Sequence, residues 1–139
     1  MKNLIICLLI AAQSIGLTVY GQDPELPVTG QTENESIEVY YFHYTRRCAT
    51  CQAVEDESLK ALKELYPAEV ESGKVVFTSV NLEKESNEAL AEKLQVAGQS
   101  LLIVKGGEQI NLTNDAFKYA RSNPEKLTAI IKEKVDQFL

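Results

Sequence analysis

Ile37-Glu-Val-Tyr-Tyr-Phe-His-Tyr44 passes through Thr45-Arg46-Arg47 into Cys48-Ala49-Thr50-Cys51. The first eight residues are nearly all β-branched or aromatic, with only Glu38 and His43 polar. Such a run fits a strand covered on both faces. The segment Cys51 to Tyr66 then repeats Val54, Ser58/Leu59, Leu62 and Leu65/Tyr66 on one side and Glu55, Asp56, Lys60 and Lys63 on the other. That spacing predicts an amphipathic helix. A Cys-x-x-Cys at a strand-to-helix junction is a place where a dithiol becomes reactive. Unpaired N–H groups and the partial positive charge of a helix N-terminus favour thiolate over thiol, most of all at Cys48.

Working outward, Pro67 is expected to end or kink that helix. Glu71 to Lys74 reads as a turn, and Val75 to Leu82 as a second strand. Strand, helix and strand in that order predict a parallel pair. Ser86 to Leu94 reads as a short helix, with Ser86 as its cap and Ala89, Leu90 and Leu94 as its apolar side. Ser100 to Lys105 is a third strand. Gly106-Gly107 is a hairpin turn, and Glu108 to Leu112 is the returning strand. A helical turn is expected around Ala116 to Ala120. Asn123-Pro124 is a strong helix start, and the last helix should bury Leu127, Ile130, Ile131, Val135 and Phe138. The predicted class is α/β: a mixed sheet of a parallel pair plus a hairpin, with helices on both faces.

The N-terminus reads differently. Met1-Lys2-Asn3 precedes an apolar run from Leu4 to Leu17, and Val19-Tyr20-Gly21 supplies modest residues for a cleavage site. This is the pattern of a secretory signal peptide over residues 1–21, cut after Gly21. The run is too short and interrupted for a membrane span. Residues 22–35 contain Pro, Gly and acidic groups, and read as a flexible leader to a domain over residues 36–139. The expected location is therefore the periplasm or outside the cell.

The whole chain carries 14 basic and 20 acidic residues, a net charge of −6. Processing would remove Lys2 and leave −7. Neither nucleic acid nor an anionic membrane suits such a surface. Processing would also remove Cys7, leaving two cysteines, both in the motif. A close-spaced pair closes too small a loop to stabilise much, so chemistry is the better reason for it. Two thiols and one histidine also fall short of the four ligands of a closed zinc site.

The element order, the Cys-x-x-Cys at the end of the first strand and the hairpin Leu101-Leu-Ile-Val-Lys-Gly-Gly-Glu108 together resemble the thioredoxin-like superfamily. More narrowly, Tyr41-Phe-His-Tyr-Thr-Arg-Arg-Cys-Ala-Thr-Cys51 resembles a small bacterial family of exported thioredoxin-like proteins. That family is labelled a nitrophenyl-compound nitroreductase subunit and is associated with arsenical resistance. The resemblance implies a thiol–disulfide oxidoreductase with Cys48 as the exposed attacking thiol and Cys51 as the resolving thiol. No cofactor is expected, and a client protein disulfide or a metalloid compound is the expected substrate; in the periplasm reducing work needs electrons from a membrane donor, so a transmembrane dithiol carrier is the expected partner.

Several residues surround this expectation. Arg46 and Arg47 directly precede Cys48, and positive charge there favours its thiolate. Superfamily members usually place a cis-proline before the third strand; this chain has Gln99, followed by Ser100. A cis bond without proline is costly, so an ordinary trans bond is expected. By the same resemblance, loss of the proline puts standard substrate handling in doubt. It also favours a second role, capture of As(III) or Cu(I) by Cys48 and Cys51 for a transporter. The superfamily's buried acid, six residues before the first cysteine, is replaced by Phe42. The adjacent His43 could shuttle a proton or act as a third ligand, but strand alternation sets it opposite Phe42 and favours simple packing. Glu55, Asp56 and Glu57 read as a solvated helix face. Tyr44 could line a substrate groove, though sheet packing is the simpler role for the aromatics.

Overall fold

β-Branched and aromatic residues at Ile37–His43 form β1, the strand that organises the domain. The computed structural model describes residues 36–139. The expected signal peptide with its cleavage site after Gly21, Cys7 and the expected leader over residues 22–35 lie outside them. Helix α1 spans Ala49–Leu65 and α2 Pro67–Glu71; strand β2 spans Val75–Asn81. A single 3-10 turn, Glu85–Asn87, leads into α3, Glu88–Lys93. Strands β3, Ser100–Lys105, and β4, Glu108–Asn111, form a hairpin, and α4, Thr113–Tyr119, and α5, Pro124–Asp136, close the chain.

The four strands lie in the order β2-β1-β3-β4. β1 runs parallel to β2, with Ile37 opposite Val75 and Phe42 opposite Val80. It runs antiparallel to β3, with Val39 opposite Ile103 and Tyr41 opposite Leu101. Alternation along β1 divides the core in two. Ile37, Val39 and Tyr41 join Leu101, Ile103 and the inner sides of α1, α4 and α5 on one face. Phe42 joins Val80, Leu102 and, from α3, Ala91 with Leu94 on the other. Burial on both faces explains why β1 lacks the polar alternation of an edge strand. The domain is thus α/β, a mixed sheet flanked by helices, with a thioredoxin-like architecture. Among the described residues no helix is long and apolar enough to cross a membrane.

Local chemistry sets the ends of the elements. Gly106 and Gly107 both take positive φ, +53° and +90°, as the tight β3–β4 turn requires. The Asn123 side chain accepts from the Lys126 N–H and Pro124 occupies the first helical turn, as the sequence predicts.

Elsewhere the structure departs from expectation. Pro67 does not simply end α1; it starts α2, because proline lacks the N–H that a first-turn residue has no use for. Helix α1 begins two residues before Cys51, with Cys48 itself as N-cap. Ser86 caps nothing and lies inside the 3-10 turn, while the Asn87 side chain donates back to the Asn81 carbonyl at 2.9 Å. This extra turn rotates α3, so Ala91 is buried and Ala89 is exposed. Gln95, which ends α3, is the only non-glycine residue with positive φ (+55°) among those described.

Candidate functional site

The motif sits where β1 hands the chain to α1. Cys48 has extended backbone angles, φ −81° and ψ 167°, and so stands just outside the helix it caps. Its Sγ accepts the Cys51 N–H at 3.2 Å. Serine, threonine, asparagine and aspartate are the usual caps; here a sulfur takes the place of their oxygen. A thiolate would accept that hydrogen bond better than a neutral thiol, so the contact favours the ionised form.

Cys51 lies within the first turn of α1 and is only 4% exposed, whereas Cys48 is open to solvent. The two are joined as a disulfide, with Cα atoms 5.1 Å apart. One sulfur is therefore accessible and the other sheltered, the asymmetry expected from the resemblance. The wall behind Cys51 is β1. The Tyr41 hydroxyl, buried in the core, donates to the Cys51 carbonyl at 2.8 Å. Burial pushes the Tyr41 phenol above its ordinary pKa, and the nearby Arg47 charge opposes that rise. The sequence contained no signal for this bond, since a central-strand tyrosine is ordinarily core packing.

His43 is 7% exposed and lies on the Tyr41 side of β1, its ring 5.8 Å from that of Tyr41 and nearly parallel to it. Its Nδ1 is 2.9 Å from the Tyr44 carbonyl, and a carbonyl only accepts, so Nδ1 carries the hydrogen. This is the packed strand histidine of the simpler expectation.

Arg46 is exposed. Arg47 is half-buried and forms an ion pair with Glu55 of α1. Glu55 is therefore not part of a freely solvated face. Of its neighbours, Asp56 is exposed and Glu57 pairs with Lys60 at 3.7 Å. The loop before the motif is fixed from the β2 side. The Thr45 N–H donates to Glu83 at 2.6 Å, and Asn81 Nδ2 donates to the Thr45 hydroxyl at 2.9 Å. The hydrogen bonds from Thr45 hold the Glu83 carboxyl below its usual pKa.

The last element of the site is the entry to β3. No cis peptide bond occurs among the described residues, so the bond before Gln99 is the expected trans one. Ser100 pairs with Phe42 across the sheet, and one further step along this register sets Gln99 beside His43. Gln99 Oε1 is closed off from solvent with no hydrogen-bond partner. The Ser100 hydroxyl donates to the Gly98 carbonyl at 3.0 Å. Tyr44, 38% exposed, lies over Gly98, where an added Cβ would be 3.9 Å from its hydroxyl. The fold thus gathers His43, Tyr44, Gln99 and Ser100 at the end of β1 from which the motif departs. Among the described residues no group of three or more His, Cys, Asp or Glu side chains is placed to hold a metal ion.

Fold and site together define an α/β domain of thioredoxin-like architecture carrying a Cys-x-x-Cys pair at disulfide distance, an arrangement consistent with a redox-active dithiol. No family model matches the chain, and no curated protein matches it either.

Proposed function

We propose that this chain is a thiol–disulfide oxidoreductase that works through Cys48 and Cys51. The observation that carries this reading is the pairing of a solvent-open, helix-capping Cys48 with a sheltered Cys51 one turn away. In the reduced protein the Cys48 thiolate attacks one sulfur of a client disulfide. A Cys48–client bond forms, the client bond breaks, and the other client sulfur leaves with the electron pair. Cys51 then gives up its proton and attacks the Cys48 sulfur, so that the intramolecular disulfide closes and the second client sulfur departs. Two protein thiols have lost two electrons and two protons, and the client disulfide has gained them as two thiols. A dithiol donor regenerates the pair by the same two exchanges. Run in reverse, the steps oxidise a client dithiol, and the potential of the pair against its partner sets the direction.

The resemblance of Tyr41 to Cys51 to the exported family supplies the setting of this proposal. The domain would act outside the cytoplasm, draw electrons from a membrane dithiol carrier, and serve in the reduction or detoxification of nitroaromatic arsenicals. The test is a Cys51→Ser variant expressed with its N-terminal segment intact. It should accumulate a mixed disulfide with a defined protein, dissolved by reductant and absent from the Cys48→Ser variant. Tight uptake of arsenite or Cu(I) by the reduced protein, with no disulfide exchange, would contradict the proposal.

A further inference from the structure

The two sulfurs meet different electrostatic surroundings. Cys48 Sγ receives a backbone N–H at the start of α1. Cys51 is farther from solvent, and burial without compensation would hold its thiol neutral. Yet the resolving step requires that Cys51 lose its proton. The superfamily's usual buried acid is absent, since Phe42 stands in that position on the far side of β1, packed with Val80 and Leu102.

Arg47 is next to Cys48 in sequence, but its guanidinium is drawn elsewhere. It pairs with Glu55, which lies four residues beyond Cys51 on α1. Residues four apart on a helix are neighbours, with Cβ atoms about 5–6 Å apart. The Arg47 charge is also felt at the Tyr41 phenol, whose hydroxyl is bonded to the Cys51 carbonyl. Glu55 and Tyr41 thus set the guanidinium against α1, the helix whose first turn holds Cys51. Its contacting Nη1 is closed off from solvent, so its field is screened less than that of a surface arginine.

We infer that Arg47 is a positioning residue for the resolving thiol: Glu55 holds its guanidinium beside Cys51, where it stabilises the thiolate that Cys51 must become, while the α1 N-terminus serves Cys48. This rests on the exchange reading above and names the group that supports its second step. The titratable neighbours identified around Cys51 are Tyr41 and His43 on β1, Arg47 on the loop and Glu55 on α1. Tyr41 is neutral at physiological pH, since burial raises it, and His43 holds its Nδ1 hydrogen on the Tyr44 carbonyl.

The experiment measures each thiol alone, by the pH dependence of iodoacetamide alkylation in the full chain. Cys48→Ser isolates Cys51 and Cys51→Ser isolates Cys48. Adding Arg47→Gln should lower the Cys51 thiolate fraction at neutral pH by about threefold or more, because it removes a cation and leaves the Glu55 carboxylate uncompensated. In the Cys48 background the same substitution should change the thiolate fraction by less than about twofold. Arg47→Lys, which keeps the charge, should restore most of the Cys51 value. A larger effect at Cys48 than at Cys51, or no effect at either, would overturn the assignment. Because these titrations use no client, they remain separate from exchange: failure of the parent protein to exchange disulfides would sink the functional reading instead.

Discussion

The Tyr41 hydroxyl reaches across the β1–α1 interface and donates to the Cys51 carbonyl at 2.8 Å. This bond ties the first turn of the motif helix, and with it the buried half of the dithiol, to an interior strand of the sheet. Tyr41→Phe keeps the buried ring and deletes only the donor. It should lower stability by about 1 kcal/mol, read as a shifted denaturant midpoint at unchanged slope. An unshifted midpoint would show that the bond adds nothing beyond ring packing.

Gln95 occupies the left-handed region at the end of α3, with the Val96 N–H returned to the Ala91 carbonyl at 2.8 Å. Glycine takes that conformation without the side-chain clash. Gln95→Gly should stabilise the domain by about 1 kcal/mol, set against the extra backbone entropy of glycine in the unfolded chain. A destabilised variant would show that the strain is absent or offset.

Acid sensitivity follows from two carboxylates. Glu83 is held below its usual pKa by hydrogen bonds from Thr45, and Asp136 by Lys132 first and then by the Tyr66 hydroxyl. In each case the folded state lowers the pKa. Their contribution is therefore present above the unfolded carboxylate range and lost as pH falls through the depressed folded values. The stability of Glu83→Gln and Asp136→Asn should fall less steeply on the acid side than that of the parent. Unfolding midpoints followed below pH 5 that keep the parent's slope in both variants would contradict this.

His43 is packed on Tyr41 and donates to the Tyr44 carbonyl. Glutamine retains a donor of similar reach. His43→Gln should leave disulfide-exchange rates at those of the parent protein, measured by insulin reduction with a dithiol donor. A loss of about tenfold or more, the scale of general acid–base catalysis, would place a proton-transfer role on this ring.

The sheet was legible because its signals are local. Apolar runs at Ile37–His43 and Ser100–Lys105, paired glycines at the β3–β4 turn and Asn123-Pro124 before α5 each specify their own conformation. The exposed Cys48 and sheltered Cys51 were implied by the thioredoxin-like resemblance. The turn before α3 was not legible, because a serine ahead of an apolar helical pattern has the look of a cap and Ser86 stands there. The choice was made by a distant acceptor, the Asn81 carbonyl, which takes the Asn87 side chain. The Arg47–Glu55 pair was hidden for a related reason. Helix periodicity marks partners three or four residues apart, and this pair joins a loop residue to the second turn of α1. The Tyr41–Cys51 bond depends on how α1 lies over β1, which only tertiary packing sets.

The most direct test is alkylation of the reduced full chain across pH, with the modified cysteine identified by mass. The account predicts modification at Cys48 first, with a half-maximal pH below about 8.5, the ordinary value for a free thiol, while Cys51 reacts only far more slowly. Equal labelling of both cysteines at an unshifted alkaline pH, or no labelling of Cys48 in the folded protein, would contradict it.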